Sequence, residues 1–225
     1  MGETIKLRAA DDHELDAYRA PASGRPRCGL VVVQEIFGVN SHIRSVADGF
    51  AAEGYEVLAP ALFDRVERGA DLTYEEPDRT HGRELKAKVQ DHEALMDIQA
   101  AITDLRARDG IYDVGVVGYC WGGLLAWLSA TRMFGVSVAV GYYGGGIAKA
   151  LDKNPRCPVM LHFGEKDTMI PMEDVEQVRA AFPDIPIHVY PAGHGFNCDD
   201  RASYDAESAA LARDRTLKFL AEHMG

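Results

Sequence analysis

Hydrophobic and polar positions along the chain fall into two alternating patterns. Short, continuous apolar runs at residues 28–33, 55–60, 114–119, 135–140, 158–164 and 185–190 predict strands buried on both faces of a parallel sheet. Between them lie longer stretches with apolar positions at helical spacing. Residues 41–53 carry Ile43, Val46, Ala47, Phe50 and Ala51 on one face, with Asn40 and Ser41 as caps and Gly54 as the stop. Residues 84–108 carry Leu85, Val89, Leu95, Ile98, Ala101, Ile102 and Leu105, which predicts one long amphipathic helix. Further helices are expected over 171–182, with Pro171 in the first turn, and over 203–224. Two alternating segments, 4–7 and 14–19, predict a hairpin at the sheet edge. The charged stretch 61–82, with Pro77, has little periodicity and reads as a long loop containing a helical turn, a candidate lid.

Strands alternating with helices give an α/β fold, a mostly parallel sheet with helices on both faces, expected as a single domain over 1–225. In such sheets reactive groups collect at the carboxyl ends of the strands. Composition narrows the partners. A net charge of −11 without a basic face disfavours nucleic acid and anionic membranes. No apolar run approaches a membrane span, and residues 1–6 have no apolar signal core. Cys28, Cys120, Cys157 and Cys198 show no paired spacing of a zinc or redox motif, so no metal is expected, and a reducing cytoplasm is the expected compartment. A monomer is the default expectation.

The candidate chemistry begins at Gly118-Tyr119-Cys120-Trp121-Gly122-Gly123, where an apolar strand runs through a small-residue turn into a helical stretch. This is the pattern of a nucleophile elbow, with Cys120 at its apex in place of the usual serine. The helix that starts there offers free N–H groups and the positive end of its dipole to a thiolate or an oxyanion. Three more polar groups stand at predicted strand ends: Glu35, Asp167 and His194. Nucleophile, acid and histidine follow one another in the order of an α/β-hydrolase triad. In that arrangement His194 moves the proton, Asp167 orients the imidazole, and the backbone N–H groups of Trp121 and Ile36 receive the oxyanion. Glu35 directly follows a buried strand and must be paired or functional. His162 and His188 lie within strands and read as structural; His13, His42, His81 and His92 read as loop or helix-surface residues, and the remaining cysteines as core or loop.

Gln34-Glu35-Ile36-Phe37-Gly38, the Cys120 elbow, Gly164-Glu165-Lys166-Asp167 and Gly193-His194-Gly195-Phe196, taken together, resemble the dienelactone hydrolase (carboxymethylenebutenolidase) family over nearly the whole chain. The resemblance implies the α/β-hydrolase fold, a small lactone or ester substrate, a Cys120–His194–Asp167 triad acting through an acyl-enzyme thioester, and no cofactor. It also implies a Glu35 that contacts the resting nucleophile and assists its deprotonation, and substrate contacts at Phe37, Tyr119, Arg79, Phe196 and Cys198. The chain departs from the family pattern at Cys198, where dienelactone-binding members carry an arginine that grips the substrate carboxylate. That departure counts against an anionic dienelactone unless Arg65, Arg68 or Arg79 supplies the charge. Two alternatives stand beside this reading: a broader carboxylesterase or thioesterase, and a non-catalytic thiol sensor built on the same fold. An intact His194 and Asp167 favour catalysis, since a sensor needs no proton shuttle.

Overall fold

The computed structural model describes residues 2–225. Its sequence-adjacent apolar runs assemble into one eight-stranded sheet in the order β1 (Glu3–Arg8), β2 (Glu14–Ala20), β4 (Glu56–Pro60), β3 (Gly29–Val33), β5 (Val114–Tyr119), β6 (Val138–Tyr142), β7 (Val159–Gly164) and β8 (Ile187–Tyr190). The hairpin β1–β2 is antiparallel and joins β4 antiparallel; every pair from β4 to β8 is parallel. The central strands β3, β4, β5, β6 and β7 are buried along their whole length, which is why they read as unbroken apolar runs.

Side-chain alternation along β5 assigns the two faces. A Cβ on Gly118 would point at Gly122 of α4 (Trp121–Arg132), whereas Tyr119 lines a cavity bordered by α1 (Ser41–Ala52) and α6 (Ala206–His223). Arg213 on α6 reaches across to Glu53 and the Gly49 carbonyl at the end of α1. On the opposite face α4 packs beside α3 (Asp91–Arg106). Among the described residues no helix is long and apolar enough to cross a membrane.

Three expectations change. The single helix over 84–108 is two helices, α2 (Asp78–Lys88) and α3, broken at Val89 and Gln90, both in extended backbone. Gln90 donates its backbone N–H to the Glu93 carboxylate at 2.9 Å and so starts a new helix. The break turns Val89 into the core, where it is 3% exposed, and lets α2 begin inside the stretch read as loop. What is left of that stretch is also fixed. A 3₁₀ turn over Leu62–Arg65 is buried at Leu62, Phe63 and Asp64, Leu72 donates its N–H to the Phe37 carbonyl, and Asn40 donates its side-chain amide to the Leu72 carbonyl. The stretch is a pinned wall beside the strand ends. α5 (Met172–Ala181) starts one residue later than expected, with Pro171 as its cap.

Candidate active site

Cys120 stands between β5 and α4 with φ 54° and ψ −114°, a conformation that side chains rarely adopt and that the surrounding packing enforces. A Cβ on Gly118 would lie 1.8 Å from the Gly122 carbonyl oxygen, and one on Gly122 would lie 2.4 Å from the Val33 carbonyl oxygen. Only glycine lets the helix start close enough to β5 and β3 to hold the turn. The same closeness brings the elbow against the segment that follows β3. There the Ile36 N–H makes no backbone or side-chain hydrogen bond among the described residues, and Trp121 is the first residue of its helix, whose N–H has no acceptor in the preceding turn.

The Cys120 sulfur lies 3.2 Å from His194 Nε2, and His194 Nδ1 lies 2.7 Å from Asp167 Oδ2. Asp167 is almost fully buried; its other oxygen accepts the N–H groups of Met169 (2.8 Å) and Ile170 (3.2 Å), which fix the carboxylate's orientation. Ser203 donates its hydroxyl to the His194 carbonyl at 2.6 Å and anchors the loop that carries the histidine. Burial works against a charged imidazole here. The bonds to Asp167 and Cys120, with the charges of both, outweigh it and lift His194 to about 10.

Glu35 is fully buried, and in this structure its partner is Arg201, 3.0 Å away, not Cys120. Its second oxygen, Oε2, is buried with no hydrogen-bond partner. The Arg201 guanidinium also lies over the rings of Phe37 and Tyr74, at 5.9 and 5.5 Å. Burial opposes its charge, but Glu35 and other nearby acidic groups raise its pKa above the usual value. Arg201 escaped the sequence reading, which looked for an arginine at position 198; the chain reaches Glu35 from 166 positions away, through a loop whose path no spacing rule gives.

Beside His194 opens a cavity of about 460 Å³ whose lining includes Arg79, Lys166, Arg201, Tyr74 and Met169. Of the five expected substrate contacts, Arg79 lines this space; Phe37, Tyr119, Phe196 and Cys198 are each 3% exposed or less and do not line it, and Tyr119 borders the cavity between α1 and α6 instead. A second cavity of about 270 Å³ lies between α1 and α6, and its lining includes neither Cys120 nor His194. His162 is a structural histidine, held by Tyr190 and Thr216 in the core. His42, expected on the helix surface, is instead buried at 4% exposure against Asp199, because α1 turns it toward the loop after β8.

The chain is similar to known proteins over nearly its whole length. A model of the dienelactone hydrolase family matches residues 15–224. The carboxymethylenebutenolidase of Pseudomonas putida is 35% identical over 235 residues, covering 98% of this chain and 97% of that one, and the same figures hold for the carboxymethylenebutenolidase of Pseudomonas knackmussii. A Klebsiella pneumoniae crystal structure assigned as a dienelactone hydrolase superposes with a TM-score of 0.86 at 33% identity, covering 98% of both chains. The Pyrococcus furiosus esterase Pf2001 shares the fold, with a TM-score of 0.72 at 16% identity, covering 100% of this chain and 93% of that one.

Proposed function

This chain belongs to the dienelactone hydrolase family and is a hydrolase of ester or lactone bonds; from that premise we propose that it opens a small anionic lactone through a Cys120 thioester. The observation that carries the reading is the continuous line from Asp167 through His194 to the Cys120 sulfur, with bonds of 2.7 and 3.2 Å. The Cys120 sulfur attacks the lactone carbonyl, and the backbone N–H groups of Trp121 and Ile36 take the oxyanion. His194, already protonated, gives its proton to the departing enolate oxygen as the tetrahedral intermediate collapses to the thioester. Neutral His194 then takes a proton from water, whose oxygen attacks the thioester; collapse releases the acid and the Cys120 thiolate, leaves His194 protonated as at the start, and the sulfur regains its proton from Glu35, which held it through the cycle.

The proton of the Cys120 thiol is the task left for Glu35. A substrate carboxylate that binds Arg201 competes for the only partner that the Glu35 carboxylate has among the described residues. An unpaired buried carboxylate is costly, and taking the thiol proton relieves that cost. Substrate binding and nucleophile activation are thereby linked through one arginine. Arg201, Arg79 and Lys166 around the cavity outnumber Glu75, the one carboxylate in its lining, and support an anionic substrate despite the overall net charge of −11, with Arg201 in the part of the group missing at position 198.

The test compares a lactone bearing a carboxylate with p-nitrophenyl acetate. Arg201→Lys should raise KM for the carboxylate lactone by about tenfold or more, because an ammonium cannot reproduce the planar fork, while the neutral ester changes by less than about threefold. Equal effects on both substrates would remove the carboxylate from the reading and leave the hydrolase.

A further inference from the structure

Away from the triad, His42 on α1 and Cys198 and Asp199 on the loop after β8 each bring one donor atom to a common point, all three atoms within 4.8 Å of one another. We propose that these side chains form a binding site for a divalent transition metal of the zinc class. Imidazole nitrogen, thiolate sulfur and carboxylate oxygen are the donor set that borderline-soft ions select. Bond lengths of about 2.0–2.3 Å place neighbouring donors around a tetrahedral ion roughly 3.3–3.8 Å apart. His42 Nδ1 and Asp199 Oδ1 already stand 3.2 Å apart, and no pair among the three donors is more than 4.8 Å apart.

His42 Nδ1 is the nitrogen that faces the Asp199 carboxylate, and an ion there would take the place of the hydrogen bond between them; Nε2, on the other side of the ring, is buried without a hydrogen-bond partner among the described residues. His42 and Asp199 also line the cavity of about 270 Å³ between α1 and α6, which gives an ion a way in and room for water as a fourth ligand. On binding, the Cys198 thiol releases its proton to solvent, and the thiolate and carboxylate together neutralise the dication. No sequence motif announces the site, because His42 and Asp199 are 157 positions apart.

The consequence reaches the active site through the backbone. The Cys198 N–H donates to the Gly195 carbonyl at 3.0 Å, and the Arg201 N–H donates to the Cys198 carbonyl at 3.1 Å. An ion held there ties α1 to the loop that carries both His194 and Arg201.

The experiment uses Cys120→Ala protein, so that the triad thiol does not compete, freed of metal with a chelator and titrated with Co²⁺. The site predicts one equivalent bound, with a thiolate-to-cobalt charge-transfer band and the strong visible absorption of tetrahedral cobalt, displaced by Zn²⁺. Adding Cys198→Ser should abolish the charge-transfer band. Adding Asp199→Asn, an exposed change that the fold tolerates, should weaken binding by about tenfold or more. A band seen with the wild type and lost in Cys120→Ala would put the ion at the triad and overturn the proposal. So would a band that survives Cys198→Ser, or an affinity indifferent to Asp199→Asn.

Discussion

At the scale of single residues, the site depends on groups whose neighbours leave them one role. Asp167 has both oxygens committed, one to His194 and one to two backbone N–H groups, so it can neither rotate nor share its charge elsewhere. In the proposed mechanism its work is to hold the imidazole with Nε2 toward sulfur. Asp167→Asn keeps the shape and removes the charge; the expected loss in kcat is about 10⁴-fold with KM little changed, read from steady-state ester hydrolysis. A loss confined to KM would make Asp167 a structural residue. Cys120, Asp167 and His194 were legible in the sequence because each ends a strand that is itself legible as an apolar run. Arg201 and His42 were not. Each meets its partner across more than 150 positions, at the end of a loop or on a helix face that looks polar in one dimension.

At the scale of elements, the site is clamped between helix starts and strand ends with almost no slack. α2 approaches the segment after β3 so closely that a Cβ on Gly82 would lie 2.0 Å from the Ile36 carbonyl oxygen. Gly82→Ala must therefore push α2 and that segment apart, and with it the Ile36 N–H proposed for the oxyanion. The expected outcome is a fall in stability of about 1–3 kcal/mol by urea unfolding, together with a kcat loss of about tenfold or more. Unfolding that weakens while kcat stays at the wild-type value would exclude Ile36 from the chemistry. The sequence placed this region imperfectly for a physical reason. Val89 falls on the apolar period of the helix it interrupts, so hydrophobic spacing alone runs straight through the break. The charges mark it better: Lys86 and Lys88 close one helix dipole, and Asp91 and Glu93 open the next.

At the scale of the whole molecule, two buried histidines give stability opposite dependences on pH. His162 sits in the core between β7, β8 and α6, and burial, with the nearby His188 and Arg215, holds it well below its usual value. The unfolded chain takes a proton there near pH 6.5 and the native one does not. Its contribution is therefore complete above about pH 6.5 and is lost as pH falls, by up to about 1.4 kcal/mol per unit. His194, raised to about 10, behaves the other way. Its contribution is complete below about pH 6.5 and disappears as pH climbs to about 10. Urea unfolding of wild type and His162→Gln at intervals from pH 5 to 10 separates the two. The stability advantage of wild type over the variant should be level above about pH 6.5 and shrink on the acid side alone, and a difference that is flat with pH would mean that His162 titrates alike in both states. The rest of the fold is tied by buried pairs such as Arg65 with Asp97, which joins the turn after β4 to α3 and, through Asp11, to the β1–β2 hairpin.

The central claim, that Cys120 carries the acyl group, is tested most directly by intact-protein and peptide mass spectrometry of acid-quenched turnover with p-nitrophenyl acetate, run on wild type and Cys120→Ala. The account predicts one acetyl group per chain in the wild type, located on the peptide that contains Cys120, and no adduct with turnover lowered at least about 10⁴-fold in Cys120→Ala. Turnover by Cys120→Ala at the wild-type rate, or an acetyl group on another residue that forms and decays at the turnover rate, would contradict it.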